Sequence, residues 1–283
     1  MASDTGDLAG KTVLVTGATS GIGKEAARGL ARLGARLVLP CRDLGRGRAA
    51  RDEIAAATGN EGIEVAEADL SSQASIRAFA ARFLDAHERL HVLVNNAGVW
   101  LQERAETADG IERTFATNVL GYHLLTRLLL DRLKASAPAR IINVASKLAG
   151  DLDLEDLEFE RRRFDGVKAY AQSKQANRML SWALAERLAG SGVTVNAMHP
   201  GGVRTSLGRE LGGPVGLLIR AFFFVLGRSP RKGADTAVWL AASPEVEGVS
   251  GKFWQDRRER RCAFRDRAAI EALWGRCEEM TGA

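Results

Sequence analysis

Residues Thr12 to Leu30 read TVLVTGATSGIGKEAARGL, and the fold turns on this run. TVLVT is short, apolar and β-branched, which suits a buried strand. KEAARGL suits the opening of a helix. Between them stand Gly17, Gly21 and Gly23. Glycines there permit a tight turn and let a backbone approach a diphosphate, while the helix N-terminus offers free N–H groups and a partial positive charge. The spacing is Gly-x3-Gly-x-Gly, not the Gly-x-Gly-x-x-Gly of the commonest dinucleotide fingerprint. A plain turn is the alternative, but the strand–glycine–helix context favours binding. Gly17, Thr19, Ser20, Gly21, Ile22 and Gly23 make the candidate phosphate loop.

The same rhythm repeats outward. RLVLP, IEVAEA, HVLVNN, RIINVAS and VTVNAMH follow, separated by helix-length amphipathic segments. Strands alternating with helices predict right-handed crossovers and a parallel sheet covered on both faces. The fold class is therefore α/β, a Rossmann-type doubly wound sheet of about seven strands in a single domain spanning 1–283. SSQASIRAFAARFLDAHERL predicts a helix capped by Ser71 or Ser72. Residues 1–7 read as a flexible N-terminus. GDLDLEDLEFERRRFDG (Gly150 to Gly166) reads as a charged inserted loop, with room for a short helix. Residues 201–232 read as a substrate lid, and 256–283 as a C-terminal extension; SGKFWQDRRERRCAFRDR reads as a last strand followed by a charged, mostly solvated segment.

Composition narrows the classes. The 283 residues are 46% hydrophobic and 27% charged, which places the chain among globular proteins with a continuous core. A net charge of +5 gives little support for nucleic acid and suits a phosphate-bearing ligand. Cys41, Cys262 and Cys277 have no metal-like spacing, and the four histidines add none, so no metal site is expected. Reduced thiols and the lack of a signal-peptide pattern point to the cytoplasm. The segment VGLLIRAFFFVLG (Val215 to Gly227) falls short of a membrane span and carries Arg220.

The second strand bears on the choice of cofactor. An acid at its end, roughly 20 residues beyond the glycines, would accept from an NAD ribose 2′-hydroxyl. Here Cys41 holds that position and Arg42 follows. A guanidinium can fork onto a 2′-phosphate, so the reading is NADP(H), with stacking of Arg42 on the adenine as the alternative. Asp43 reads as the cap of the next helix.

YAQSK, Tyr170 to Lys174, is weak by itself, since Tyr-x-x-x-Lys arises often by chance. It gains weight beside TGATSGIG, Asp69–Leu70, NNAG (Asn95 to Gly98), Asn118, Ser146 and HPGGVRT, all in order. Over about residues 8–255 the chain resembles the short-chain dehydrogenase/reductase family. CRD, NNAGV, TADGIERTFATNVLGYHLLT and SGKFW most resemble its retinol-dehydrogenase-like branch. The resemblance implies a catalytic set of Asn118, Ser146, Tyr170 and Lys174. It implies cofactor contacts at Asp69, Leu70, Asn95, Ala97, Gly98, Tyr170, Lys174, Pro200, Gly201, Val203 and Thr205. Ser146 and Tyr170 stand 24 apart, about twice the usual gap, and the charged insertion accounts for the difference. The usual Ser-Ser pair is Ala145-Ser146 here.

The chemistry suits these types. A tyrosine titrates near 10, too high for easy proton exchange at neutral pH, and an ammonium on the same helix face lowers that value. Ser146 would bond the substrate oxygen where charge develops, and Asn118 would hold a relay water. The expected activity is alcohol–carbonyl interconversion on a hydrophobic small molecule. Leu217, Leu218, Ile219, Phe222 and Phe223 in the lid supply the apolar surface. Trp100 either lines the substrate pocket or packs, and His199 reads as structural. The arginine runs 161–163 and 257–261 read as solvated faces, with an acidic membrane surface as the other reading. A homo-oligomer is compatible with all of this. Rival readings are an idle dinucleotide sensor and a membrane-surface reductase anchored by the apolar segment.

Overall fold

Thr12–Val15 forms β1, all four residues buried, and Gly21–Arg32 forms α1 behind the glycine loop. The computed structural model describes residues 6–203 and 227–283. Residues 1–5, most of the expected lid with its five apolar side chains, and Thr205 lie outside the described residues. Gly6 is already pinned, its N–H donating to the Ala242 carbonyl at 3.0 Å.

Four further parallel strands flank β1: β2 (Arg36–Cys41), β3 (Ile63–Glu67), β4 (Val92–Asn95) and β5 (Ala139–Val144). β6 (Val193–Met198), β7 (Lys252–Gln255) and β8 (Arg258–Glu259) complete a sheet ordered β3-β2-β1-β4-β5-β6-β7-β8. All pairings are parallel except β7 with β8. The order reverses between β1 and β4, and ligands of such sheets bind in the crevice beyond the strand carboxyl ends at that point.

The eighth strand exceeds the expected seven. Asp256 and Arg257, at φ 52° and 57°, form a two-residue hairpin loop with left-handed backbone at both positions, which folds the chain back on β7.

Helices cover both faces. On one lie α1, α2 (Leu44–Thr58) and α8 (Pro230–Ala242), over a core that includes Val13, Leu37 and Trp239. On the other lie α3 (Gln73–Ala86), α5 (Gly121–Leu128), α7 (Gly166–Arg187) and α9 (Arg267–Thr281), over Leu14, Phe79 and Trp182. Short α4 (Arg113–Phe115) runs through a π-helical turn, Ala116–Leu120, into α5, and α6 (Leu130–Ala135) follows. Asp43 caps α2, as read, and Ser72 caps α3.

The stretch after β7, Asp256 to Arg267, is mostly exposed, as read. The helix beyond it is anchored on one face. Ile270, Leu273, Trp274 and Cys277 form a buried stripe at helical spacing on α9. Trp274 meets His123 edge-on at 4.8 Å and carries Arg187 over its ring at 4.2 Å. The charged insertion contains no helix, and it is held by the buried Asp156. That carboxylate accepts from the N–H groups of Glu160, Arg161 and Arg162 and from Arg162 Nε. Arg162, expected in a solvated run, lies over Phe159 at 4.2 Å and donates to Gln172 of α7. The insertion is thereby tied to the helix that carries Tyr170.

Candidate active site

A cleft of about 390 Å³ opens at the carboxyl ends of β1, β2 and β4. Gly17, Thr19, Ser20, Gly21, Ile22 and Gly23 form one wall. Gly17 and Gly21 have φ of 66° and 57°. A Cβ on Gly17 would stand 2.7 Å from Ala97 Cα, and one on Gly23 would stand 2.3 Å from Gly17 O. Only glycine lets the loop close so tightly on the chain after β4. Thr16, buried under the loop, locks this junction: its Oγ1 accepts from Asn96 N at 2.8 Å and Ala97 N at 3.0 Å.

At the β2 end, Arg42, Asp43 and Arg46 line the cleft. Among the described residues neither arginine pairs with a carboxylate within ion-pair distance. Cys41 fills the place of the missing acid, its thiol donating to Asp43 O at 3.3 Å; burial pushes its pKa up. Asp69 and Leu70 line the adjoining wall, with Asp69 Oδ1 accepting from Ser71 N and Oγ at 2.9 and 2.7 Å. Ala97, Gly98 and Pro200 complete the lining.

Asn95 departs from its assignment. It is fully buried away from the cleft, and its amide donates to Thr126 Oγ1 and Asn143 Oδ1 at 3.1 and 2.9 Å. The neighbouring Asn96 lines the cleft and clamps Thr16 O at 2.9 Å. Gly201, at φ 82°, and Val203 also stand outside the lining. Val203 is buried in a bridge to Arg228, which joins the two sides of the undescribed segment.

Tyr170 and Lys174 sit one turn apart on α7, both buried, and both line the cleft. Asp165 starts the helix by accepting from Val167 N and Lys168 N. Lys174 Nζ donates to Val144 O at 3.2 Å and lies 5.6 Å from the centre of the Tyr170 ring. Burial lowers its pKa to about 7. Tyr170 is raised to about 12 by burial, against which the nearby Ser146 hydroxyl acts to lower it. The expected lowering of Tyr170 by an ammonium is thus reversed in net sign, because desolvation of the phenolate dominates. Ser146, half-buried at the end of β5, also accepts from Leu148 N at 3.1 Å.

Asn118 lies in the π-helical turn, fully buried, with its side chain committed. Its Oδ1 accepts from Val99 N at 2.8 Å, and its Nδ2 donates to Val99 O and Ser173 Oγ, both at 3.0 Å. The amide braces the loop after β4 against α7. π-turns are frequent at functional sites, since they displace local backbone groups from the helical ladder.

Trp100 takes the pocket-lining alternative, stacked on Tyr170 at 4.9 Å and 15°. Tyr122, Thr16, Asn96 and Arg46 were not singled out by sequence reasoning. Tyr122 donates to Ala97 O at 2.7 Å and faces Lys174 Nζ at 5.5 Å. His199 is structural: buried, with Nδ1 accepting from Gly201 N at 3.0 Å and burial taking its pKa to about 4. No group of three metal-ligating side chains occurs among the described residues.

The model of the short chain dehydrogenase family matches residues 11–214. Retinol dehydrogenase 13 of Mus musculus is 42% identical over 97% of this chain and 85% of its own. A crystal structure of an uncharacterized protein from Mycobacterium Paratuberculosis matches with a TM-score of 0.79 at 32% identity, covering 99% of this chain and 96% of that one. The Pseudomonas aeruginosa RhlG/NADP active-site complex matches with a TM-score of 0.69 at 30% identity, over 87% and 94% of the two chains.

Proposed function

The chain belongs to the short-chain dehydrogenase family, in its retinol-dehydrogenase-like branch, and from that premise we propose that it interconverts an alcohol and a carbonyl on an apolar small molecule using NADP(H). One observation carries the reading. Tyr170 and Lys174 line the glycine-walled cleft where it meets Trp100, and the Ser146 hydroxyl, just outside that lining, acts on Tyr170.

The residues present fit a dinucleotide phosphate. The loop of Gly17, Gly21 and Gly23 leaves no room for a Cβ at its junction with Ala97, and the following helix presents its N-terminus. Arg42 and Arg46 would hold a 2′-phosphate by forked, charge-assisted bonds, and Cys41 offers no carboxylate to repel it. The NADP named in the Pseudomonas structure supports the same choice. The nicotinamide supplies or accepts the hydride.

The chain's own side chains manage the proton. Tyr170 gives its hydroxyl proton to the substrate oxygen in reduction and takes one in oxidation. Ser146 donates to that oxygen as charge develops. Lys174, when charged, would favour the phenolate and would hold the nicotinamide ribose. An anion in the cleft favours the charged lysine, against the burial that lowers its pKa to about 7.

Trp100 flat on Tyr170 gives the reacting end an aromatic face, which suits a planar or extended apolar substrate. The name of the mouse relative makes retinoids the first compounds to test. Cys41, Cys262 and Cys277 are free thiols, which supports a reducing, cytoplasmic compartment. No helix among the described residues is long and apolar enough to cross a membrane. The test is NADPH and NADH oxidation with retinal and a panel of apolar aldehydes and ketones. Turnover with NADPH ahead of NADH is expected, and none with any member of the panel would overturn the reading.

A further inference from the structure

Arg178 stands four residues beyond Lys174 on α7 and is nine-tenths buried, with 7% of its surface exposed. Among the described residues no carboxylate pairs with it. One terminal nitrogen donates to the backbone carbonyl of Ser146, and the other reaches Cys262 Sγ at 3.8 Å. The guanidinium lies over Phe253 of β7 at 3.9 Å and over Phe264 at 5.4 Å. Its Nε–H has no partner among the described residues. A buried cation without an ion pair is costly, and a leucine or methionine would fill the same volume without that desolvation. Burial accordingly lowers its pKa. The carbonyl it grips gives this cation a use. Ser146 leaves β5 at its carboxyl end, where the strand ladder no longer fixes the backbone, and its hydroxyl is near enough to Tyr170 to favour the phenolate.

We propose that Arg178 is a positioning residue, which fixes the backbone at Ser146 so that the serine hydroxyl faces Tyr170 and the substrate oxygen. This inference rests on the reaction proposed above. The planar fork, lying over two aromatic rings, holds one orientation better than a lysine could. Through it, Phe253 of β7 and the segment bearing Cys262 and Phe264 brace the reacting end. Arg178 touches neither substrate nor cofactor in this scheme and acts only through Ser146.

Acting through Ser146 predicts non-additivity. In the wild-type background, Arg178→Met should lower kcat roughly tenfold, the scale of a displaced reacting group, with NADPH Kd changed less than about twofold. In a Ser146→Ala background the same substitution should lower kcat less than about twofold. Arg178→Lys, which keeps charge but not the fork, should fall between and replaces the methionine variant if that one does not fold. Hydrogen exchange followed by mass spectrometry gives a readout independent of turnover. Amides in residues 145–150 should exchange faster in Arg178→Met, while peptides of β1 and α1 stay unchanged. Equal losses in both backgrounds, or unchanged exchange at 145–150, would overturn the proposal. A wild-type enzyme inactive on the whole panel would instead overturn the reaction reading, and the exchange experiment would still decide whether Arg178 holds Ser146.

Discussion

Replacing Lys174 with methionine keeps the volume of a buried side chain and removes its charge, which isolates what the ammonium does for Tyr170. The nitrogen lies 5.6 Å from the tyrosine ring centre, and both groups are buried. At an effective dielectric of about 20, a charge at that separation favours the phenolate by about 3 kcal/mol, roughly a hundredfold. Alcohol oxidation requires the phenolate, so kcat/KM for an apolar alcohol at saturating NADP+ should fall roughly a hundredfold at pH 6. The deficit should then narrow with pH. Burial holds the lysine at about 7, so above that value the wild type loses its ammonium and levels off. The variant keeps gaining phenolate toward the about 12 of Tyr170 alone. The gap should close by about tenfold per pH unit beyond the lysine midpoint, which a bound anionic cofactor moves upward. A deficit constant from pH 6 to 10 would refute the reasoning and leave Lys174 a cofactor ligand only. Thermal unfolding supplies the control. Burial lowers the folded pKa from 10.5 to about 7, so the unfolded chain holds the proton more tightly in that window and wild-type stability rises with pH across it. Lys174→Met should therefore melt no lower than wild type at pH 7.

Tyr170→Phe should keep the fold and NADPH affinity while turnover drops by about 10² or more, as checked by fluorescence titration beside steady-state rates. Arg42→Asp should weaken NADPH by tenfold or more and improve NADH, since it exchanges a phosphate-pairing cation for a 2′-hydroxyl acceptor; an unchanged ratio of kcat/KM for the two cofactors would remove Arg42 from the site. Asp156→Ala leaves three backbone N–H groups and Arg162 without their acceptor. It should cost about 1–3 kcal/mol in urea unfolding and expose residues 150–166 to limited proteolysis; wild-type resistance there would mean the insertion is held by other contacts.

What the sequence disclosed and what it hid follow from the range of each interaction. The glycine loop, the six early strands and the YAQSK pair are local patterns whose spacing carries their geometry, and the sheet order confirms the strand assignments. Asn95 and Asn96 are the same residue type side by side, so composition cannot separate them. Successive side chains near a strand end point to opposite faces, and only the register of β4 turns Asn96 to the cleft and Asn95 to Asn143. In α9 the apolar stripe at 270, 273, 274 and 277 stands among arginines and glutamates, and only its packing on α7 shows that it is buried. Arg46 could have been found as the cation one helical turn beyond Arg42. Arg178 could not, because its partner Ser146 lies 32 residues away across the insertion. The reversed sign at Tyr170 has the same origin. A spacing of four residues establishes that an ammonium can stand beside a phenol, but the dielectric around the pair depends on how deeply α7 is packed. Most of that helix from Ala169 to Leu184 is buried, so each group resists its charged form, and pairing must overcome burial before the proton can move.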